Sequence, residues 1–122
     1  MSSMPKEILK KYATNFEFYN QAKDRLDDKM FSNGLLKVKH AVDDAYGKYK
    51  DKNLTLKEIA MNYIASNPSI TVSQKEDILA EFDSIDRLEN IDDDIAFDMV
   101  YKMSLQSFAQ DVAQQSIQIM QG

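Results

Sequence analysis

The 122-residue sequence has no cysteine, one histidine, three glycines and two prolines. Without cysteine the chain has no disulfide, no thiolate nucleophile and no cysteine-ligated zinc or iron–sulfur site. The single histidine, His40, excludes metal sites that need several imidazole ligands. Turn-rich sandwiches, barrels and alternating βαβ folds use glycine and proline freely at their turns. These absences favour an all-α protein.

The chain also lacks the glycine patterns of nucleotide-binding sites. A phosphate-binding loop needs closely spaced glycines ahead of a lysine, but the glycines here stand at positions 34, 47 and 122. The dinucleotide fingerprint is absent for the same reason. We therefore predict that this chain is not an enzyme and that it holds no cofactor and no metal of its own.

The net charge and the hydropathy of the sequence argue against nucleic-acid and membrane partners. Fifteen basic residues against twenty acidic ones give a net charge of −5, which argues against a broad phosphate-binding surface. The lysines of the first half are interleaved with acids, so we expect no direct nucleic-acid binding by this domain. The amino-terminal residues lack the apolar core of a signal peptide, and no apolar run approaches a membrane span. We predict a cytoplasmic protein with no membrane partner.

Apolar residues at helical spacing predict six helices. The first three cover about 5–13, 16–26 and 35–49, and the fourth lies between a cap at Thr55 and a stop at Ser66. A capping box of Thr55 and Glu58 begins the fourth helix, and a second box of Ser73 and Glu76 is predicted to begin the fifth. The last and longest helix opens at three aspartates, 92–94, and extends to about residue 120.

Two polar features have competing interpretations. His40, with Asp43 and Asp44 one turn further on, is either a general base oriented by a carboxylate or a partly exposed member of an ion pair, and we favour the ion pair. The acidic stretch 81–98 lacks the central glycine and ligand spacing of a calcium loop. It is better explained as a solvated loop, a helix start and an electrostatic docking surface.

The last helix suggests self-association. At roughly 25 residues it would be about 38 Å long, whereas a domain of this size is roughly 30 Å across. Its apolar residues would then need a second copy to cover them. The predicted pairing face consists of Met99, Met103, Leu105, Phe108, Val112 and Ile119. The alternative is a monomeric bundle in which the earlier helices cover the whole apolar surface.

The order of these elements resembles the N-terminal domain of DnaB-like replicative helicases, most closely the phage versions of the T-even type. The resemblance is carried by the segments 18–31, 35–49 and 54–59, with a Lys-Asp-Lys-Asn turn at 50–53, and by the end of the last helix, 105–117. It implies a compact four-helix head at about 5–67 and a two-helix antiparallel hairpin at about 73–120, together forming one domain over 1–122. Where cellular members carry arginines, the last helix here is rich in glutamine and serine.

The resemblance implies a non-catalytic domain for oligomerisation and partner docking. Such domains pair through the hairpin, the pairs form a ring, and primase or a helicase loader binds them. The RecA-type motor, with its ATP and Mg²⁺, is absent from this chain, and the sequence stops where a linker to a motor would begin, which suits a fragment of a longer helicase. The alternative is a free-standing small phage regulator, such as a helicase loader or inhibitor. Either would act in the host cytoplasm if a phage encodes it.

Overall fold

A computed structural model describes residues 4–121, with side chains described through residue 114. The described chain is all-α, as the sequence predicts, and contains no strand. The six helices are α1 (Met4–Thr14), α2 (Phe16–Ala22), α3 (Asn33–Lys48), α4 (Leu56–Ser66), α5 (Val72–Asp86) and α6 (Asp93–Gln121). None of the described helices is both long enough and apolar enough to cross a membrane.

Local capping signals begin α4 and α5. The predicted box at α4 is confirmed: the Thr55 hydroxyl accepts from the backbone N–H of Glu58 at 3.1 Å, and the Glu58 carboxylate accepts from that of Thr55 at 3.0 Å. The box predicted at Ser73 and Glu76 is wrong, because Thr71 and Gln74 form it instead. The two patterns overlap by two residues. A turn in which the Ile70 N–H donates to the Asn67 carbonyl precedes Thr71, which has the extended backbone of an N-cap residue.

The second predicted helix is shorter than expected. It ends at Ala22, and the chain continues through two 3₁₀ turns, Lys23–Arg25 and Asp28–Met30. Between them Leu26 leaves the helical region for extended backbone, with φ −104° and ψ 105°. Leu26 and Phe31 are both buried. Ending α2 early allows the side chains of Leu26 and Phe31 to be buried in the core, and this burial stabilises the fold.

One cluster of buried residues joins all six helices. The largest fully buried side chains include Ile8, Leu9 and Tyr12 of α1 and Tyr46 of α3. Aromatic rings pack where α1, α2 and α3 meet, with ring centroids 4.8 Å apart for Tyr12 and Tyr19 and 4.7 Å apart for Tyr19 and Tyr46. The Tyr46 hydroxyl donates to the carbonyl of Ala13 at 2.6 Å, which satisfies a buried polar group.

The structure does not confirm a hairpin set apart from a four-helix head. α5 packs mainly against α3, α4 and α1, whereas α6 packs mainly against α1, α2 and the two 3₁₀ turns. The buried row of α5 (Ile78, Phe82 and Ile85) needs an apolar partner, and α3 and α4 supply it. α5 is thus part of the globule, and α6 lies along another side of it.

Candidate functional site

The inner face of α6 attaches that helix to the globule. Ala96, Val100, Met103 and Ser107 are buried and follow one another at intervals of four, three and four residues. Beside them the ring of Phe97 packs against Phe18 of α2, with centroids 4.8 Å apart. This row faces the protomer's own core, so it leaves the opposite side of α6 toward solvent.

Polar contacts hold α6 in this orientation. Near its start, Lys11 forms a salt bridge with Asp93 at 2.5 Å. In the middle, the Ser104 hydroxyl donates to the carbonyl of Arg25 at 3.0 Å. Further along, Lys29 pairs with Asp111, and this carboxylate raises the pKa of the exposed Lys29 ammonium. These contacts fix which face of the helix is exposed over about five turns.

The outer face of α6 is apolar. Tyr101, Leu105, Phe108 and Val112 all have large exposed fractions, with Phe108 the most exposed at 67%. They also follow at intervals of four, three and four residues, so they lie in one row along the helix. We call these four residues the α6 stripe. Contiguous exposed apolar side chains of this kind mark interaction surfaces.

The charged residues beside the stripe are already paired within the chain. Asp111, about one turn after Phe108, pairs with Lys29, and the exposed residues Gln106, Ala109 and Gln110 are uncharged. Near Tyr101, Lys102 already pairs with Asp98 at 2.9 Å. Covering this part of α6 would therefore desolvate few unpaired charges, which are the groups that make burial costly.

The structure separates the residues of the predicted pairing face. Leu105, Phe108 and Val112 lie together in the α6 stripe. Met103 was placed on the wrong face, because only 5% of it is exposed and it belongs to the core. Met99 is partly buried against the same core. The side chain of Ile119 lies outside the described residues.

Tyr101 is the stripe residue that the prediction left out. It stands four positions before Leu105 and seven before Phe108, and this spacing was available in the sequence. The signal was obscured because α6 also carries apolar residues on its inner face. Only the burial pattern distinguishes the two rows.

His40 is exposed and hydrogen-bonds a carboxylate, but this partner differs from the predicted ones. Its Nε2 lies 3.1 Å from the Asp28 carboxylate, which belongs to the second 3₁₀ turn. Asp43 instead accepts from the Tyr12 hydroxyl at 2.5 Å and pairs with Lys39 at 3.3 Å. The hydrogen bonds from His40 and then Lys39 lower the pKa of Asp28. This network joins the 3₁₀ turn to α3.

Within the part of the chain that is described, no three Asp, Glu or His side chains come together as a metal site would require. Within the acidic stretch 81–98, the Asp92 carboxylate accepts from the backbone N–H of Asp94 at 3.1 Å, a contact that supports the start of α6.

Comparisons of the chain with protein-family models, with curated proteins and with solved structures found no match.

Proposed function

We propose that this chain is a non-catalytic domain for oligomerisation and partner docking in a DnaB-like replicative DNA helicase, and that two copies pair through the α6 stripe. The observation that supports pairing is the stripe itself: four apolar side chains in a row on the solvent side of a helix whose other side is already packed. Removing this surface from water would favour association.

A second copy of α6 suits the stripe because of its spacing. Intervals of four and three residues are those at which helices pack side by side, with the apolar residues of one fitting between those of the other. The same helix on a second chain offers the same row, and a two-fold axis brings the two rows together so that each contact occurs twice. The uncharged residues around Phe108 allow this contact without burying unpaired charge.

The helicase assignment rests on the order of the elements along the sequence, in which a long helix rich in apolar residues comes last. In such a helicase, primase or a loader would dock on the paired domains. ATP and Mg²⁺ would be bound by a separate motor domain. The role of this chain would then be structural: it would hold neighbouring subunits together.

Sedimentation of the isolated chain tests pairing. We expect the weight-average mass to rise from that of one 14.0 kDa chain toward that of two as the concentration increases. A Phe108→Asp variant should remain monomeric over the same range. A wild-type chain that stays strictly monomeric at high micromolar concentration would contradict pairing.

The natural gene tests the helicase assignment separately. We expect the reading frame to continue past codon 122 into a RecA-type motor with a phosphate-binding loop. A frame that stops there would contradict the assignment and favour the free-standing regulator. The regulator predicts tight binding to a separate helicase, which purified components would reveal. Neither result bears on pairing, which sedimentation decides alone.

A further inference from the structure

A second apolar surface lies away from α6, between the end of α3 and α4. A groove of about 390 Å³ runs there, a size common among ligand-binding clefts. Buried Leu54 belongs to its floor, and Met61 and Tyr49 stand at its edges with 59% and 49% of their surfaces exposed. The full lining is Ala45, Tyr49, Lys52, Leu54, Lys57, Glu58, Met61 and Asn62.

The charge around this groove is opposite to that of the protein. The chain carries −5 overall, but its segment 48–58 contains four lysines against two acidic residues. Two of these lysines, Lys52 and Lys57, line the groove. Neither of them forms a salt bridge within the described residues. A positive rim beside an apolar floor is thus present on an acidic protein.

The acid that lines this groove, Glu58, already has a structural role. The Glu58 carboxylate accepts the backbone N–H of Thr55 in the capping box of α4, and this bond lowers the pKa of Glu58. Lys48, by contrast, is engaged with Asp44 and with the Ser66 hydroxyl. Lys52 attracts the Glu58 carboxylate without forming a salt bridge to it, so Lys52 and Lys57 are the groove lysines that an incoming carboxylate could pair with.

We propose that this groove binds an acidic peptide segment of a partner protein, with a leucine- or phenylalanine-sized side chain on the floor and carboxylates beside Lys52 and Lys57. Apolar contact and charge complementarity would act together, the first giving affinity and the second orientation. The aliphatic floor and the net negative charge of the chain favour a peptide over nucleic acid, which needs a denser array of cations.

A second groove lies on the other side of α4, and its charges indicate which of the two grooves an acidic peptide should prefer. It shares Lys57 and Met61 with the first groove and is otherwise bounded by Leu79, Asp83 and Asp86 of α5. Although it is also apolar, it sets two carboxylates against one lysine, whereas the α3–α4 groove sets two lysines against the single carboxylate of Glu58. The acidic segment should therefore select the α3–α4 groove and leave Leu79 unaffected. This proposal does not depend on pairing through the α6 stripe, because α4 packs mainly on α3, α5 and α1.

The test titrates the full chain with a short fluorescein-labelled peptide that alternates aspartate with leucine and phenylalanine. Fluorescence anisotropy measures affinity, and ¹H–¹⁵N spectra locate the site. We expect saturable binding, with shifts at Tyr49 and Leu54, which line only this groove, and none at Leu79. Lys57→Glu should weaken binding by about five- to tenfold. Because an acidic residue in the first turn of a helix is favourable, this variant should fold normally.

Lys75→Glu is the matched control, since Lys75 lies near the start of α5 and is exposed. It should bind the peptide like wild type, and a peptide with lysine at each aspartate should not bind. The proposal is overturned if the acidic peptide fails to bind, if both variants weaken equally, or if the shifts map to α6. Tighter binding of a single-stranded oligonucleotide that Lys57→Glu abolishes would also overturn it. Repeating the titration on Phe108→Asp separates this groove from pairing.

Discussion

Met103 and Phe108 lie five positions apart on α6, and the fold places them on different sides of the helix. Five residues correspond to a rotation of about 140° around the axis. Met103 is 5% exposed and contacts the core, whereas Phe108 is 67% exposed. Two apolar residues that the sequence presents as equivalent therefore have separate roles, one in stability and the other in the proposed pairing.

This difference gives the sharpest test of the pairing face. Phe108→Asp should abolish dimer formation and leave the urea midpoint close to wild type, because the new carboxylate remains in water. Met103→Asp should lower the free energy of unfolding by several kcal/mol, because it buries an unpaired charge. Sedimentation and urea denaturation measure the two effects. A Phe108→Asp variant that still pairs would show that the face is wrongly assigned.

The start of α5 can be tested by removing one hydroxyl at a time. Thr71→Ala should cost about 1 kcal/mol of stability, since the Thr71 hydroxyl accepts from the backbone N–H of Gln74 at 3.1 Å. Ser73→Ala, two residues further on, should change stability by less than about 0.5 kcal/mol. Thermal or urea unfolding of both variants measures the difference. Equal effects would be inconsistent with the capping box observed here.

The hydroxyl of Tyr12 is a buried donor with a charged acceptor. Burial raises the pKa of Tyr12 far above its usual range, and the Asp43 carboxylate raises it further, so the hydroxyl remains protonated and donates at 2.5 Å. We expect Tyr12→Phe to cost about 1.5–3 kcal/mol, as hydrogen bonds to charged groups do. Tyr49→Phe, at a largely exposed ring, is the control and should be nearly neutral. If both variants unfold at the same urea concentration, the hydrogen bond from Tyr12 to Asp43 contributes nothing to the free energy of unfolding.

Acid should weaken the link between the second 3₁₀ turn and α3. The folded state lowers the pKa of Asp28 below its ordinary 3.8, through hydrogen bonds from His40 and Lys39. A lowered pKa means that the ionised form is favoured on folding, so its contribution is complete above that ordinary value and is lost as pH falls through the folded pKa. Asp28 is exposed, and we therefore expect this contribution to be about 0.5 kcal/mol.

Asp28→Asn isolates that contribution. The variant should be less stable than wild type at pH 7, and the gap should close once the pH falls below the lowered pKa. Urea unfolding across this range measures the gap. A difference that stays constant down to strongly acidic pH would rule out Asp28 ionisation as the cause.

Local signals were the most reliable part of the sequence. Helical periodicity and scarce glycine predicted the all-α class, and the Thr55–Glu58 pattern located the start of α4. Where two patterns overlapped, as at Thr71 and Ser73, local chemistry alone did not choose between them. Likewise the neighbours of His40 along α3 suggested Asp43 and Asp44 as partners, but the chain brought Asp28 from a separate turn.

The sequence by itself determined that the chain forms helices, that it lacks the residues of a thiolate or phosphate-loop site, and that α6 carries more apolar residues than one face can hold. Only the tertiary structure decided which of those residues are buried. Helical spacing defines rows of side chains, but the packing of α6 against α1 and α2 selects the row that faces the core. That selection buries Met103, exposes Phe108 and creates the α6 stripe, because burial depends on contacts between residues distant in sequence.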